Sequence, residues 1–371
     1  MNNKNDYNNK NKKTKSALFL IIGSLFVLSF LAIAPNAAYA AGGLFGGGTG
    51  TADDPYIIED AADLDAVRND PDAHYKLGND INLKAGDPGF DTEEGWLPIG
   101  ATNWNYYFVG SFDGDGHKIT GLWINRPETS NIGLFEELGT ESEIKNLGIE
   151  IDATYTDDTG SIIGIRGNYD IGGLAGYSEG NIENCYVTGG PITGYSSASG
   201  LVAINSGTIE NCYVTSTISC IEEYGPAGGL VYYNNGIIKN SYATGDVLSN
   251  GWAGGLTVIN SEIIENSYAT GNVSSIGEYG QAGGLVAENQ GILKDSYATG
   301  DVLSTGNAGG LVVENGHTIE NSYATGNVSS IGDYGQAGGL AAQNNWLIEN
   351  SYATSDVSSI GEYGQAGGLA G

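Results

Sequence analysis

The chain has 371 residues, is rich in glycine (60) and poor in proline (8), and carries 40% hydrophobic residues and a formal charge of −30. No three-residue glycine period is present, which excludes collagen, and the hydrophobic content exceeds that of a disordered chain. The acidic excess argues against nucleic acid, which needs a basic stripe, and suits solubility, a salty milieu or divalent-cation uptake; a solvated acidic surface is its plain reading.

The N-terminus reads as a targeting segment. Lys4, Lys10, Lys12, Lys13 and Lys15 form a positive region, Ala17 to Ala34 is an apolar and small-residue run, Pro35 breaks it, and Ala38-Tyr39-Ala40 supplies a small-x-small cleavage pattern. A signal peptide over residues 1–40, cut after Ala40, predicts an exported, secreted or cell-surface protein. An uncleaved anchor is the other reading, given the 18-residue run. Either way the membrane is touched only through this segment.

Residues 41–48 read as a glycine-rich linker. Asp60 is placed to cap a short helix whose apolar side carries Ala61, Leu64 and Val67. Tyr75 to Leu83 alternates like a strand, and Phe108 to Ile119 reads as strand, glycine-rich turn, strand. Ile132 to Phe135, with Ile144 to Leu147 behind, is a degenerate first copy of a unit that recurs to the C-terminus. Residues 49–160 are therefore expected to form a closing cap and first rungs, because terminal units of a solenoid are atypical.

From Gly172 the chain repeats. Leu174, Leu201, Leu230, Leu256, Leu285, Leu311 and Leu340 each precede a tyrosine by 12 residues: Tyr186, Tyr213, Tyr242, Tyr268, Tyr297, Tyr323 and Tyr352. From tyrosine to the next leucine the spacing varies between 14 and 17, and Leu369 closes the series. A fixed half and an elastic half mean a rigid winding followed by a loop. Residues 230–284 and 285–339 are near-copies of 55 residues, each one long and one short winding. The long windings carry acidic-aromatic loops at Glu222-Glu223-Tyr224, Glu278-Tyr279, Asp333-Tyr334 and Glu362-Tyr363.

Side-chain parity locates a corner. Ile319 and Val328 should both point inward, yet they are nine apart, the wrong parity for one unbroken strand. Asparagine tolerates a left-handed bend, and Asn184, Asn211, Asn240, Asn266, Asp295, Asn321 and Asn350 fill the position two before each tyrosine. They are expected to form a structural ladder of amides bonding from rung to rung. Beyond the corner, serine or cysteine faces inward and the tyrosines face outward, with Thr188, Thr215, Thr244, Thr270, Thr299, Thr325 and Thr354. One place before the asparagine, Glu183, Glu210, Lys239, Glu265, Lys294, Glu320 and Glu349 partly alternate in sign, as in-register stacking favours.

Windings of 26 to 29 residues suit three strands of five or six residues. The expected fold is all-β: a right-handed parallel β-helix over residues 161–371, behind a β-rich cap carrying a short helix. β-propeller blades need roughly 40 residues, more than these units have. Cys185 and Cys212 hold equivalent positions on neighbouring windings, about 4.8 Å apart by strand spacing. A disulfide between them and a pair of buried thiols standing in for serine are both open, with Cys220 left over.

The GGL…NSYATG pattern over residues 172–371 resembles the GLUG-motif repeats of bacterial and archaeal surface proteins. Residues 49–125, with GTGTADDPYII, FVGSFDGDGHKI and GLWIN, resemble the region that precedes such repeats. The resemblance implies an exported, adhesin-like or envelope-associated β-helix. Similar repeats also occur outside the catalytic part of immunoglobulin-A-cleaving metallopeptidases. The full G-L-x-G form stands only at Gly173–Gly176 and Gly368–Gly371. Elsewhere its last glycine reads as Ile204, Tyr233, Val258, Ala287, Val313 and Ala342.

Chemistry is thinly represented. His-Glu-x-x-His, a nucleophile elbow and a P-loop are absent. Asp113, Asp115, His117 and Arg126 are the one cluster a glycan-cleaving enzyme could use, and Asp113 to Gly116 reads more simply as a turn. The expectation is a non-catalytic surface adhesion or structural module without cofactor, calcium at the acidic loops being a weaker idea. Its partners would be cell-surface glycans or envelope proteins, met by the tyrosine row; the plainer reading of that row is that stacked Tyr and Thr stabilise the ladder. The alternatives are a polysaccharide lyase or hydrolase on the same scaffold, or the repeat region of a larger surface peptidase. The last winding is unfinished, which suggests a fragment of a longer protein.

Overall fold

The computed structural model describes residues 45–100 and 107–371. The targeting segment 1–40 and linker residues 41–44 lie outside the described residues. The described chain is a stack of windings whose equivalent strands pair in parallel along five faces of 11, 10, 11, 8 and 7 strands. The expected parallel β-helix is the observed architecture.

One winding shows the plan. It runs through Val202–Asn205, Thr208–Glu210, Tyr213–Val214, Ile218–Cys220 and Ala227–Gly228, one strand to each face. There are thus five strands of two to four residues, where three longer ones were expected. The corners divide the run more finely because glycine and Asx residues stand every few positions. Tyr75–Leu83 shows the same correction: it splits into His74–Leu77 and Ile81–Asn82, on two different faces.

Each winding sends one residue per face into a single core. Leu201, Val202, Ile209, Val214, Ile218 and Ala227 are all fully buried, and their counterparts repeat along the stack. The leucines from Leu174 to Leu340 are at 0% exposure, whereas Leu369, with no winding above it, is at 46%. The glycine directly before each leucine lets the backbones meet there: a Cβ on Gly284 would fall on the carbonyl oxygen of Gly310 in the next winding.

The register also revises one alignment. Tyr177 pairs with Ile204, and Ile204 with Tyr233. The counterparts of Gly176 are therefore Ala203 and Tyr232, not Ile204 and Tyr233.

The N-terminal windings join the same faces. Tyr56–Ile58 pairs with His74–Leu77, which pairs with Ser111–Asp113, then Glu143–Lys145, then the repeats. Between the first two lies the helix Ala61–Ala66, where the Asp60 carboxylate accepts from the Ala62 and Asp63 amides. Leu64 and Val67 are fully buried beneath it.

Candidate functional site: the outer tyrosine row

The corner before each tyrosine is left-handed. Asn184, Asn211, Asn240, Asn266, Asp295, Asn321 and Asn350 have φ between 49° and 55°. Asn and Asp reach this region because their short polar side chains bond locally. Their amides reach the equivalent residue of the preceding winding at only some places: Asn184 to the Asn146 oxygen at 3.2 Å and Asn321 to Asp295 at 3.0 Å, while Asn240 turns to Glu210 of that winding at 3.4 Å.

The continuous amide chain lies elsewhere. Asn205, Asn234, Asn260, Asn289 and Asn315 are fully buried, and each Nδ2 donates to the Oδ1 of the next, ending on Asn344, at 2.8 to 2.9 Å. These six residues each stand four after the leucine of their winding. That fixed offset was the available signal, and it is as regular as the tyrosine's.

Past the corner the next residue turns inward and forms a second polar ladder. The backbone N–H of Cys212 donates to Ser241 Oγ, and so on through Ser267, Ser296, Ser322 and Ser351, at 3.0 to 3.2 Å. Cys185 and Cys212 occupy the first two places as free, buried thiols, and the Cys185 amide donates to Cys212 Sγ at 3.4 Å. Both thiols thus stand in the places that serine fills in the later windings. Burial pushes the Cys212 thiol well up, helped by Cys185, and burial pushes Cys220 up to about 12.

The tyrosines come next and face outward. Six successive ring pairs, Tyr186 through Tyr352, stack with centroids 4.7 to 5.2 Å apart and planes within 10°. In-register pairing enforces this, as with Tyr268 on Tyr297. Each interior ring is covered on both faces by its neighbours, which leaves its edge toward solvent. Partial burial, then neighbouring phenols, raise the Tyr242, Tyr268 and Tyr323 hydroxyls above their usual range. Thr215, Thr244, Thr270, Thr299, Thr325 and Thr354 form an exposed hydroxyl row alongside. On the other side of the corner, Lys239 sits between Glu210 and Glu265 and reaches the latter at 3.5 Å.

The acidic-aromatic loops form a second, discontinuous aromatic surface. Tyr224 stacks on Tyr279 at 6.1 Å across a short winding, and Tyr334 on Tyr363 at 5.1 Å. All four rings are exposed.

The possible catalytic cluster is dispersed. Asp113 accepts from the Asp115 amide and from Asn146 Nδ2, Asp115 pairs with Lys76, His117 with Asp80, and Arg126 with Glu94 on a different face. Each charged group serves its own turn or strand. Among the described residues no three His, Cys, Asp or Glu side chains gather as a metal site, and no helix is long and apolar enough to cross a membrane.

Comparison with known proteins matches residues 167–193 to the GLUG motif. A provisionally named Gly-rich membrane protein of Evansella cellulosilytica is 37% identical over 180 residues, 47% of this chain and 19% of that protein. Halomucin of Haloquadratum walsbyi is 34% identical over 145 residues, 38% of this chain and 2% of its own length. The chain thus spans a minor part of either relative. Among solved structures, a provisionally assigned immunoglobulin A1 protease from Bacteroides ovatus aligns with a TM-score of 0.54 at 24% identity, over 71% of this chain and 80% of that one. A second IgA1 protease aligns at 0.53 and 17% identity, over 78% of this chain and 23% of that one. At such identities the likeness is one of fold. The chain carries the GLUG motif, set where the regular windings of a parallel β-helix begin.

Proposed function

We propose that this chain is a non-catalytic, exported cell-surface β-helix whose tyrosine–threonine face is its contact surface. The observation that carries the reading is the outward row of stacked rings from Tyr186 to Tyr352, flanked by exposed threonine hydroxyls. Aromatic edges and phenol hydroxyls beside threonine hydroxyls suit extended glycans of repeating structure, which can meet the same chemistry on every winding. The relatives named as a membrane protein and a mucin support a surface location. The dispersal of the Asp113–Arg126 cluster into structural pairs supports the absence of chemistry.

The test replaces Tyr268, Tyr297 and Tyr323 with alanine in the full chain and measures retention on immobilised neutral and anionic polysaccharides. The reading predicts retention by the parent protein and at least a tenfold loss in the variant, about 1.4 kcal/mol, with the β-sheet circular dichroism unchanged. Equal retention would remove the contact surface. New reducing ends or unsaturated products in the polysaccharide would instead establish an enzyme.

A further inference from the structure

The two 55-residue copies make an internal control, because they build the same windings from nearly the same residues. Their differences are unevenly placed. Tyr232 in the first copy is Ala287 in the second, Trp252 is Asn307, and Ile259 is Glu314. These three positions of the first copy come together on the outer corner between two faces. There Tyr232, Trp252 and Ile259 pack on a small apolar stripe that includes Val258 and Ala287. Together with Tyr224 and Glu288 they line an open pocket of about 260 Å³.

The walls are held. The Tyr232 hydroxyl donates to Asp170 Oδ1 at 3.0 Å, which fixes its ring. Trp252 pairs in register with Gln281 on the next winding. Tyr224 is braced against Tyr279. Glu288 takes a hydrogen bond from the Gln290 amide and lies beside Glu314 on the next strand.

We propose that this pocket binds an organic cation of the quaternary or methylated ammonium class. Three aromatic side chains, Tyr224, Tyr232 and Trp252, line the pocket, and aromatic rings attract a poorly hydrated cation once it is partly desolvated. The only charged lining group is the Glu288 carboxylate. Neither an arginine nor a lysine lines the pocket to receive an anion. A sugar needs several in-plane hydrogen-bonding groups, and here the Tyr232 hydroxyl is already engaged by Asp170. The site is separate from the tyrosine row and does not depend on that row's role.

The experiment titrates choline into the full chain by calorimetry at constant ionic strength, beside its neutral tert-butyl isostere 3,3-dimethyl-1-butanol and methyl glucoside. Choline should bind at least tenfold more tightly than either, about 1.4 kcal/mol and within the range of a desolvated cation over aromatic rings. Trp252→Asn should abolish the heat. That change installs the residue the second copy already carries at the same place, so the winding tolerates it. Glu288→Gln should bring choline and the isostere to similar affinity. Phosphatidylcholine vesicles in a sedimentation arm identify the source: co-sedimentation lost in Trp252→Asn marks a lipid-borne head group, and choline heat without it marks a free small molecule, both consistent with the proposal. Equal binding of the isostere, preference for methyl glucoside, undiminished choline binding by Trp252→Asn, or no heat with choline would overturn it.

Discussion

The windings before residue 168 and those after it share their faces but not their means of stability. The early core is filled by large rings: Trp96, Tyr75, Phe108, Phe112 and Phe135 are all buried, and Phe108 and Phe112 both contact the Phe135 ring. Seven of the nine ion pairs among the described residues also fall here, from Arg68–Asp65 to Arg166–Asp157. The later windings keep buried leucine, isoleucine and valine but replace the large rings with alanine, serine, cysteine and asparagine, and they repeat the same small contacts. Irregular windings need individually fitted side chains. Regular ones stack like on like, so amides, hydroxyls and rings form ladders. Gly148 marks the seam on the tyrosine face: a Cβ there would collide with the Tyr186 ring, so the ring row begins against bare backbone.

This contrast can be broken at its strongest point first. Trp96 is fully buried and its Nε1 donates to the Leu134 carbonyl at 3.1 Å. Trp96→Ala is expected to cost about 3–5 kcal/mol, with lost hydrogen-exchange protection confined to the early windings. Solenoid windings couple to their neighbours only. Equal loss of protection out to Leu340 would mean the two regions fold as one unit.

In the repeats the larger effect should come from a polar residue. Asn260 accepts from Asn234 and donates to Asn289 within a dry environment. Asn260→Leu strands one donor and one acceptor, each costing about 1–3 kcal/mol. Chemical denaturation followed by the tyrosine signal should show it, and a neutral substitution would show that the amide ladder adds nothing. The smallest effect belongs to the surface. Lys239→Glu aligns like charges at Glu210, position 239 and Glu265, and should cost about 0.2–1 kcal/mol at low salt and less at high salt.

Much of this was legible in the residues because strict spacing is a geometric statement. The 12-residue interval from leucine to tyrosine already implied stacked windings. The parity clash between Ile319 and Val328 already required a corner, and the Asx position two before the tyrosine is where φ turns positive. Less visible was the number of corners, since each two-residue strand is too short to display an alternation. The buried amide ladder was hidden for a different reason. Asparagine at the end of VAIN, TVIN or VAEN looks like a turn residue, and its burial is tolerated only once another asparagine lies directly above it. The Trp252 pocket is a property of contact between windings, so neither copy alone displays it.

Cysteine pairing measures the stacking itself. Thr270 and Thr299 are exposed and stand one above the other, since Tyr268 pairs with Tyr297 and Ala269 with Ala298. Their Cα atoms should lie about 4.8 Å apart, within disulfide range. Under mild oxidation, Thr270→Cys with Thr299→Cys should cross-link within the monomer, mapped by mass spectrometry. Thr270→Cys with Asp295→Cys, across the corner, should not. Failure of the first pair, or equal yield from the second, would contradict windings held in register.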